Sequence, residues 1–226
     1  FAFPIAILAG GMVGFVIGLI VAVVRVNALI ASLGMAFVVK GLTLAVTRGF
    51  PVSMMPKEYT ALGQGQVFGV PTSVAIMVIA IVVAALLMKY FAPARAIYYL
   101  GGNEDAARFA GLPTGGLRIV LFTIMGLLAG AAGVLISSRL ASAGVTFGTG
   151  TELRIIAATV IGGVSLQGGK GNILGALLGL LFMALVNNAL ILLGVSIYFQ
   201  SLILGLILIA AVVLDRLQDT LFARVR

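Results

Sequence analysis

The residues able to do chemistry in this 226-residue chain are few: Lys+Arg 14, Asp+Glu 6, and neither histidine nor cysteine. Without histidine the commonest general base is missing, which excludes a serine–histidine site in the membrane. Without cysteine there is no disulfide framework, and zinc and haem lose their usual side-chain ligands. No HExxH pattern occurs, and Asp105, Asp215 and Asp219 do not stand in the GxGD setting of an intramembrane aspartyl site. The glycine-rich run "GGVSLQGGKGN" resembles a phosphate loop in composition. However, no glycine stands five residues before Gly169, and Gly171 occupies the place after Lys170 where a serine or threonine is required. The expectation is a chain with no catalytic residue, no metal and no cofactor of its own.

One polar cluster stands out. In "YYLGGNEDAARFAGLP", Tyr98 to Pro113, two acids and an arginine lie between paired glycines and a proline. Asn103 is a good N-cap, and Glu104 and Asp105 occupy the first turn, where the helix dipole favours negative charge. Arg108 follows, and Gly111 then Pro113 stop the helix after about two turns. An isolated helix this short is barely stable in water, so something must hold it. Ala106, Phe109 and Ala110 form one small apolar face, with Glu104, Asp105 and Arg108 free to point elsewhere. A partner protein can take up either side, whereas a helix resting on lipid would carry more lysine and a larger apolar face.

The elements that carry this cluster are apolar. With 62% hydrophobic and 9% charged residues, against about 25% charged in an average soluble domain, the chain is an all-α, polytopic membrane helix bundle. Seven apolar segments can be drawn: Phe3 to Val24, Ala28 to Thr47, Pro71 to Phe91, Leu117 to Ser138, Leu153 to Val164, Asn172 to Leu193 and Ile197 to Leu214. A crossing needs roughly 20 apolar residues, so the fifth segment is expected to be a short or broken helix. The chain opens directly in an apolar run, and further helices are expected to precede it. The whole of 1–226 is expected to form a single transmembrane domain, with a cytoplasmic loop at about 92–117 and an outer loop at about 49–70. That outer loop is either a docking surface or a surface loop with no task.

Glycine recurs at helical spacing in the ladders Gly10/Gly14/Gly18, Gly126/Gly130 and Gly171/Gly175/Gly179. Such ladders let helix backbones approach where lipid supplies no hydrophobic drive. The formal charge of +8 is scattered at segment ends rather than gathered on one face, so it sets topology and does not bind nucleic acid. A cytoplasmic C-terminus puts Arg25, Lys89, Arg95, Arg108, Arg118, Lys170, Arg216, Arg224 and Arg226 inside, leaving Lys40, Arg48, Lys57, Arg139 and Arg154 outside. The excess inside favours that orientation, provided "SLQGGKGN" returns to the cytoplasmic side after the short fifth segment.

The runs "GGNEDAARFAGLP", "GTGTELRIIAATVIGGVSLQGGKGNILGALLGLL" and "NNALILLGVS", in that order, resemble the permease subunit of ribose-type ABC sugar importers, a family related to the branched-chain amino acid permeases. The likeness covers most of the chain, from "ASLGMAFVVKGLTLAVT" to the last span. It implies that Asn103, Glu104, Asp105, Ala106, Ala107, Arg108, Phe109 and Gly111 form a coupling helix that seats in a groove of an ATP-binding subunit. It further implies ATP and Mg on that separate subunit, and a second permease copy or close paralogue completing a dimer. A periplasmic or extracellular binding protein would deliver the solute, and the whole would sit in the lipid of the bacterial cytoplasmic membrane. The family often has an acidic residue where Arg154 stands in "TELRII".

Two pairs of polar residues are left with open roles. Glu152 and Arg154 either form a local ion pair or line the outer mouth of a pathway. Asn187 and Asn188 must bond to neighbouring helices or face a watery passage. An ion-coupled secondary transporter, with a broken helix at the fifth segment and Glu152 near it, is the alternative reading. Importers of branched-chain amino acids or nucleosides are the nearer one. A membrane enzyme has no recognisable constellation to support it.

Overall fold

The computed structural model describes the backbone of residues 2–224 and the side chains of residues 2–213. The side chains of Asp215, Arg216, Asp219, Arg224 and Arg226 lie outside the described residues. The elements in chain order are α1 Ala2–Leu19, a π-helical turn Ile20–Val24, α2 Ala28–Thr47, β1 Val52–Ser53, α3 Lys57–Gln64, β2 Gln66–Val67, β3 Val70–Pro71, α4 Thr72–Tyr90, α5 Ala92–Gly102, α6 Glu104–Phe109, α7 Thr114–Leu140, β4 Ser142–Ala143, α8 Thr151–Ile161, α9 Ile173–Leu192 and α10 Ile197–Arg224. The fold is an all-α membrane bundle, and all seven apolar segments are helical. Among the described residues five helices, α1 with its π turn, α2, α4, α7 and α9, are long and apolar enough to cross a membrane. At 11 residues and 1.5 Å per residue, α8 rises about 16 Å, roughly half of a hydrocarbon core. It is the short helix that the sequence implies.

Contacts divide the chain into two compact units. One comprises the described residues up to Val83 together with Ala107–Phe147; the other comprises Ala84–Ala106 together with the described residues from Gly148 on.

In the first unit α1 and α7 pack antiparallel with almost no side chain between them. A Cβ added at Gly14 would fall on the Phe122 carbonyl and stand 3.0 Å from the Gly126 Cα. Gly10 meets Gly126 and Gly130 in the same way, and Gly18 meets Ile119. The Gly10/Gly14/Gly18 and Gly126/Gly130 ladders are therefore two sides of one seam, which is the bundle-packing role. The connection after α2 is folded rather than loose: β1 pairs antiparallel with β4, Val52 opposite Ala143 and Ser53 opposite Ser142. Strands β2 and β3 make a hairpin turning at Phe68 and Gly69, and α3 packs on the C-terminal end of α7.

In the second unit α8 packs on α9 and α10, and Ala157, Ala158, Met183 and Leu204 form a small core flanked by Ile207 and Leu208. Gly175 and Gly179 lie on the backbone of Gly162 and Ala158. Gly171, the remaining member of the Gly171/Gly175/Gly179 ladder, precedes α9 and belongs to a loop, so only two of its three glycines serve helix packing.

The apolar surface that these units leave open suits lipid. Helices α2 and α4 contain no buried residue, and in hydrocarbon that is no penalty, provided backbone groups are satisfied within each helix. The polar side chains follow the same rule. Ser32 donates to the Leu29 carbonyl at 3.0 Å, Thr43 to that of Val39 at 2.8 Å and Thr47 to that of Thr43 at 2.8 Å.

Candidate functional site

The polar cluster between α4 and α7 is built in two steps. Helix α5 lies within the stretch 92–117 expected to be a loop; it starts after Phe91 with a proline in its first turn and buries Ala96 and Leu100. It ends at Gly101 and Gly102, and Asn103 follows in an extended conformation, φ −157° and ψ 107°. From there the Asn103 Oδ1 accepts the Ala106 N–H at 2.9 Å, the N-cap bond expected of that residue. Helix α6 then runs for six residues, with Glu104 and Asp105 in its first turn and Arg108 in its last. Gly111 closes it at φ +82°, with the Leu112 N–H donating to the Ala107 carbonyl at 3.1 Å and the Gly111 N–H to that of Arg108 at 3.0 Å. This is a glycine-terminated Schellman end. The helix is shorter than two turns because its stop begins at Ala110.

The exposure pattern of α6 decides what it presents. Ala107 is its one buried residue, 4% exposed. Ala106, Arg108, Phe109 and Ala110 are exposed, as are Asn103, Glu104, Asp105 and Gly111. Phe109 keeps 91% of its surface open. The apolar face of Ala106, Phe109 and Ala110 is thus uncovered by this chain, with charged groups around it. A single buried alanine anchors the helix, while the Phe109 ring is left open.

What holds the approach to α6 was not visible from the sequence. The loop 162–172 folds back on itself, with the Ser165 N–H donating to the Lys170 carbonyl at 3.1 Å and the Gly168 N–H to the Ser165 carbonyl at 3.2 Å. Asn172 caps α9 through the Leu174 N–H at 3.1 Å. The loop presents Gly168 (φ +90°) and Gly169 (φ +74°) to the glycine end of α5. A Cβ on Gly168 would stand 3.0 Å from the Gly101 Cα, and one on Gly169 would stand 2.6 Å from the Gly102 Cα. Beside this contact the Tyr98 hydroxyl donates to the Gly171 carbonyl at 3.1 Å. Behind it lies a cavity of about 280 Å³ lined by Met88, Ile97, Tyr98, Val164 and Ile173 among others. The available signal was that both polar motifs contain a glycine pair, "GGNED" and "QGGKG"; their adjacency depends on a fold between residues far apart in sequence. The contact also puts "SLQGGKGN" beside α5.

The other polar candidates lie on α8 and α9. Glu152 and Arg154 form no ion pair, although both are in the first turns of α8. Two residues apart on a helix, their side chains project to different sides. Arg154 instead lines a cavity of about 240 Å³ with Thr149, Met183 and Ser201. Asn187 is half-buried and Asn188 exposed in the last turns of α9, and among the described residues neither bonds to another helix. The segment 49–71 carries structure that sequence reading missed: Ser138, fully buried, accepts the Gly63 N–H at 2.7 Å and donates to the Tyr59 carbonyl at 2.6 Å. Tyr59 adds a hydroxyl contact to Ser137 at 2.6 Å. Among the described residues no cluster of three or more acids, histidines or cysteines is placed to hold a metal.

Comparison with known proteins gives a consistent picture. A model of the family described as the branched-chain amino acid transport system permease component matches residues 1–212. The ribose import permease protein of Escherichia coli strain K12 is 43% identical over 214 residues, covering 93% of this chain and 67% of its own length. That of Bacillus subtilis strain 168 is 38% identical over 201 residues, 88% of this chain and 62% of its own. The L-arabinose transport system permease protein of Escherichia coli strain K12 is 37% identical over 199 residues, 88% and 61% of the two chains. No solved structure matches the chain.

Proposed function

The chain belongs to the permease-component family of the branched-chain amino acid transport system type, and on that premise we propose that it is the membrane-spanning subunit of an ATP-driven importer of a sugar or sugar-like solute. The family description names branched-chain amino acids, whereas the relatives compared above carry ribose and arabinose in their names. At 37–43% identity over most of the chain, a sugar is the better supported cargo. The protein is a multi-pass component of the bacterial cytoplasmic membrane. It catalyses no reaction; ATP and Mg are held by a separate subunit, an external binding protein hands over the solute, and two permease chains enclose the path. The C-terminus and α6 face the cytoplasm, and the folded segment 49–71 faces the binding protein.

The observation that carries this reading to particular residues is the presentation of α6. Work done on another chain must arrive through a small element with two stable positions. A capped six-residue helix with one buried alanine and an open Ala106, Phe109 and Ala110 face suits the groove of an ATP-binding partner. Glu104 and Arg108 at its two ends set the polarity of that fit. In the complete transporter reconstituted in nanodiscs, replacing Glu104 and Arg108 together by alanine abolishes solute-stimulated ATP hydrolysis while the permease remains inserted and dimeric. Stimulation at the unmodified level would refute the assignment of α6.

A further inference from the structure

Resting on the reading of α6 as the seat of the ATP-binding partner, the geometry points to a second element of the transmission: Gly101, Gly168 and Gly169, braced by Tyr98, form a backbone clasp that positions α6 and ties it to α8 and α9. Helix α5 ends at Gly102, and Asn103 caps α6 directly after it. The two helices therefore share one continuous backbone. The loop 162–172 lies between α8 and α9, with Gly162 terminating the first and Asn172 capping the second. Whatever displaces the end of α5 must therefore press on the hairpin that carries the small core of Ala157, Ala158 and Met183.

The clasp transmits because nothing soft intervenes. Close-packed atoms deform little, so contacting backbones move together where flexible side chains would absorb the displacement. A Cβ on Gly101 would overlap the Gly169 amide and come within 3.3 Å of the Gly168 Cα. One on Gly168 would stand 3.1 Å from the Gly101 carbonyl carbon. The positive φ of Gly168 and Gly169 is what brings the loop backbone this near, and only glycine adopts it without strain. The 3.1 Å bond from the Tyr98 hydroxyl to the Gly171 carbonyl holds the same two segments one helical turn further back. Neighbouring Gly102 behaves differently: its own Cβ would lie 3.9 Å from the Gly169 Cα, an ordinary van der Waals distance.

That difference between adjacent glycines makes the inference testable. In the complete transporter with its ATP-binding and solute-binding partners, Gly101→Ala lowers solute-stimulated ATP turnover about tenfold. The ATP-binding subunit still copurifies, because the outward face of α6 is unchanged. Gly102→Ala stays within about twofold of the unmodified complex on the same scale. Equal effects of the two substitutions, or loss of the ATP-binding subunit in Gly101→Ala, would overturn the clasp.

Hydrogen exchange on the unmodified complex tests the same idea without any variant that has to fold. Trapping the ATP state with vanadate is expected to change protection in 98–109 and in 162–172 together. A change in 98–109 with none in 162–172 removes the clasp and leaves α6 as the docking element. No change in either segment removes the reading of α6, and the clasp with it.

Discussion

The two polar regions of the molecule are held by opposite means. Around α3 and the end of α7, side chains do the fastening: Ser138 bonds in two directions, Tyr59 reaches Ser137, Gln64 donates to the Arg139 carbonyl at 3.1 Å, and β1 pairs with β4. Phe3 stacks on Tyr59 with ring centroids 4.9 Å apart. Around α6, bare backbone does it: glycine lies on glycine, with one tyrosine bond beside them, and the largest side chain faces outward. A hydrogen-bonded cap has one favourable arrangement and resists displacement. A backbone contact next to an uncovered helix has few directional bonds to break, so it can shift as a body when a partner pushes. The first region is built to stay, the second to be moved.

The comparison breaks most sharply at Ser138. Its hydroxyl is fully buried and serves both the Gly63 N–H and the Tyr59 carbonyl, so Ser138→Ala removes a partner from two backbone groups, one buried and one part-buried. A cost of about 3 kcal/mol in stability is expected, since each stranded buried group costs roughly 1–3 kcal/mol. Thermal unfolding of the purified permease in detergent measures it. Solute-stimulated ATP turnover per folded complex should be unchanged. A variant equally stable but poorly coupled would show that the cap, too, takes part in transmission.

Phe109 is the counterpart, with the effects exchanged. At 91% exposure it contributes nothing to the fold of this chain, so Phe109→Ala leaves the unfolding temperature where it is. Its loss weakens association with the ATP-binding subunit by about 2 kcal/mol, the scale of an aromatic anchor at an interface. Titrating that subunit onto nanodisc-embedded permease gives the number. A lowered unfolding temperature with unchanged affinity would place the ring in the fold and remove it from the interface.

What could be read in the sequence follows the same division. The spans were legible because bilayer thickness sets their length: Ala28–Thr47 agrees to the residue, and Pro71 to Phe91 exceeds α4 by one residue at each end. The cap of α6 was legible because Asn103 and Gly111 act on neighbours within a few residues of themselves. Helix α5 was not, since its two buried residues, Ala96 and Leu100, make too narrow a stripe to announce a helix among aromatic and charged neighbours. Nor were the Ser138 bonds or the clasp. Each joins residues some 70 positions apart, as in the Tyr98 to Gly171 bond with its separation of 73, and no local pattern encodes that register.

The smallest expected effect sets one tyrosine against the other. Tyr59→Phe keeps the ring and its stack on Phe3 and removes only the 2.6 Å contact with Ser137. Tyr98→Phe likewise removes only the 3.1 Å bond to the Gly171 carbonyl. Each loses a single hydrogen bond, worth about 1 kcal/mol, yet the loss should be felt in different measurements. In the cap, where the bond belongs to a fixed arrangement, it appears as a lower unfolding temperature with coupling intact. Beside the clasp, the lost bond loosens the attachment of α5 to the loop before α9. Coupling should then fall by about twofold to threefold, within the range for residues that link two sites, while the unfolding temperature changes less than in Tyr59→Phe. If both variants lost stability alike and coupled alike, the hydroxyl at 98 would be an ordinary fastening like that at 59, and the distinction between a region built to stay and one built to move would rest on the glycines alone.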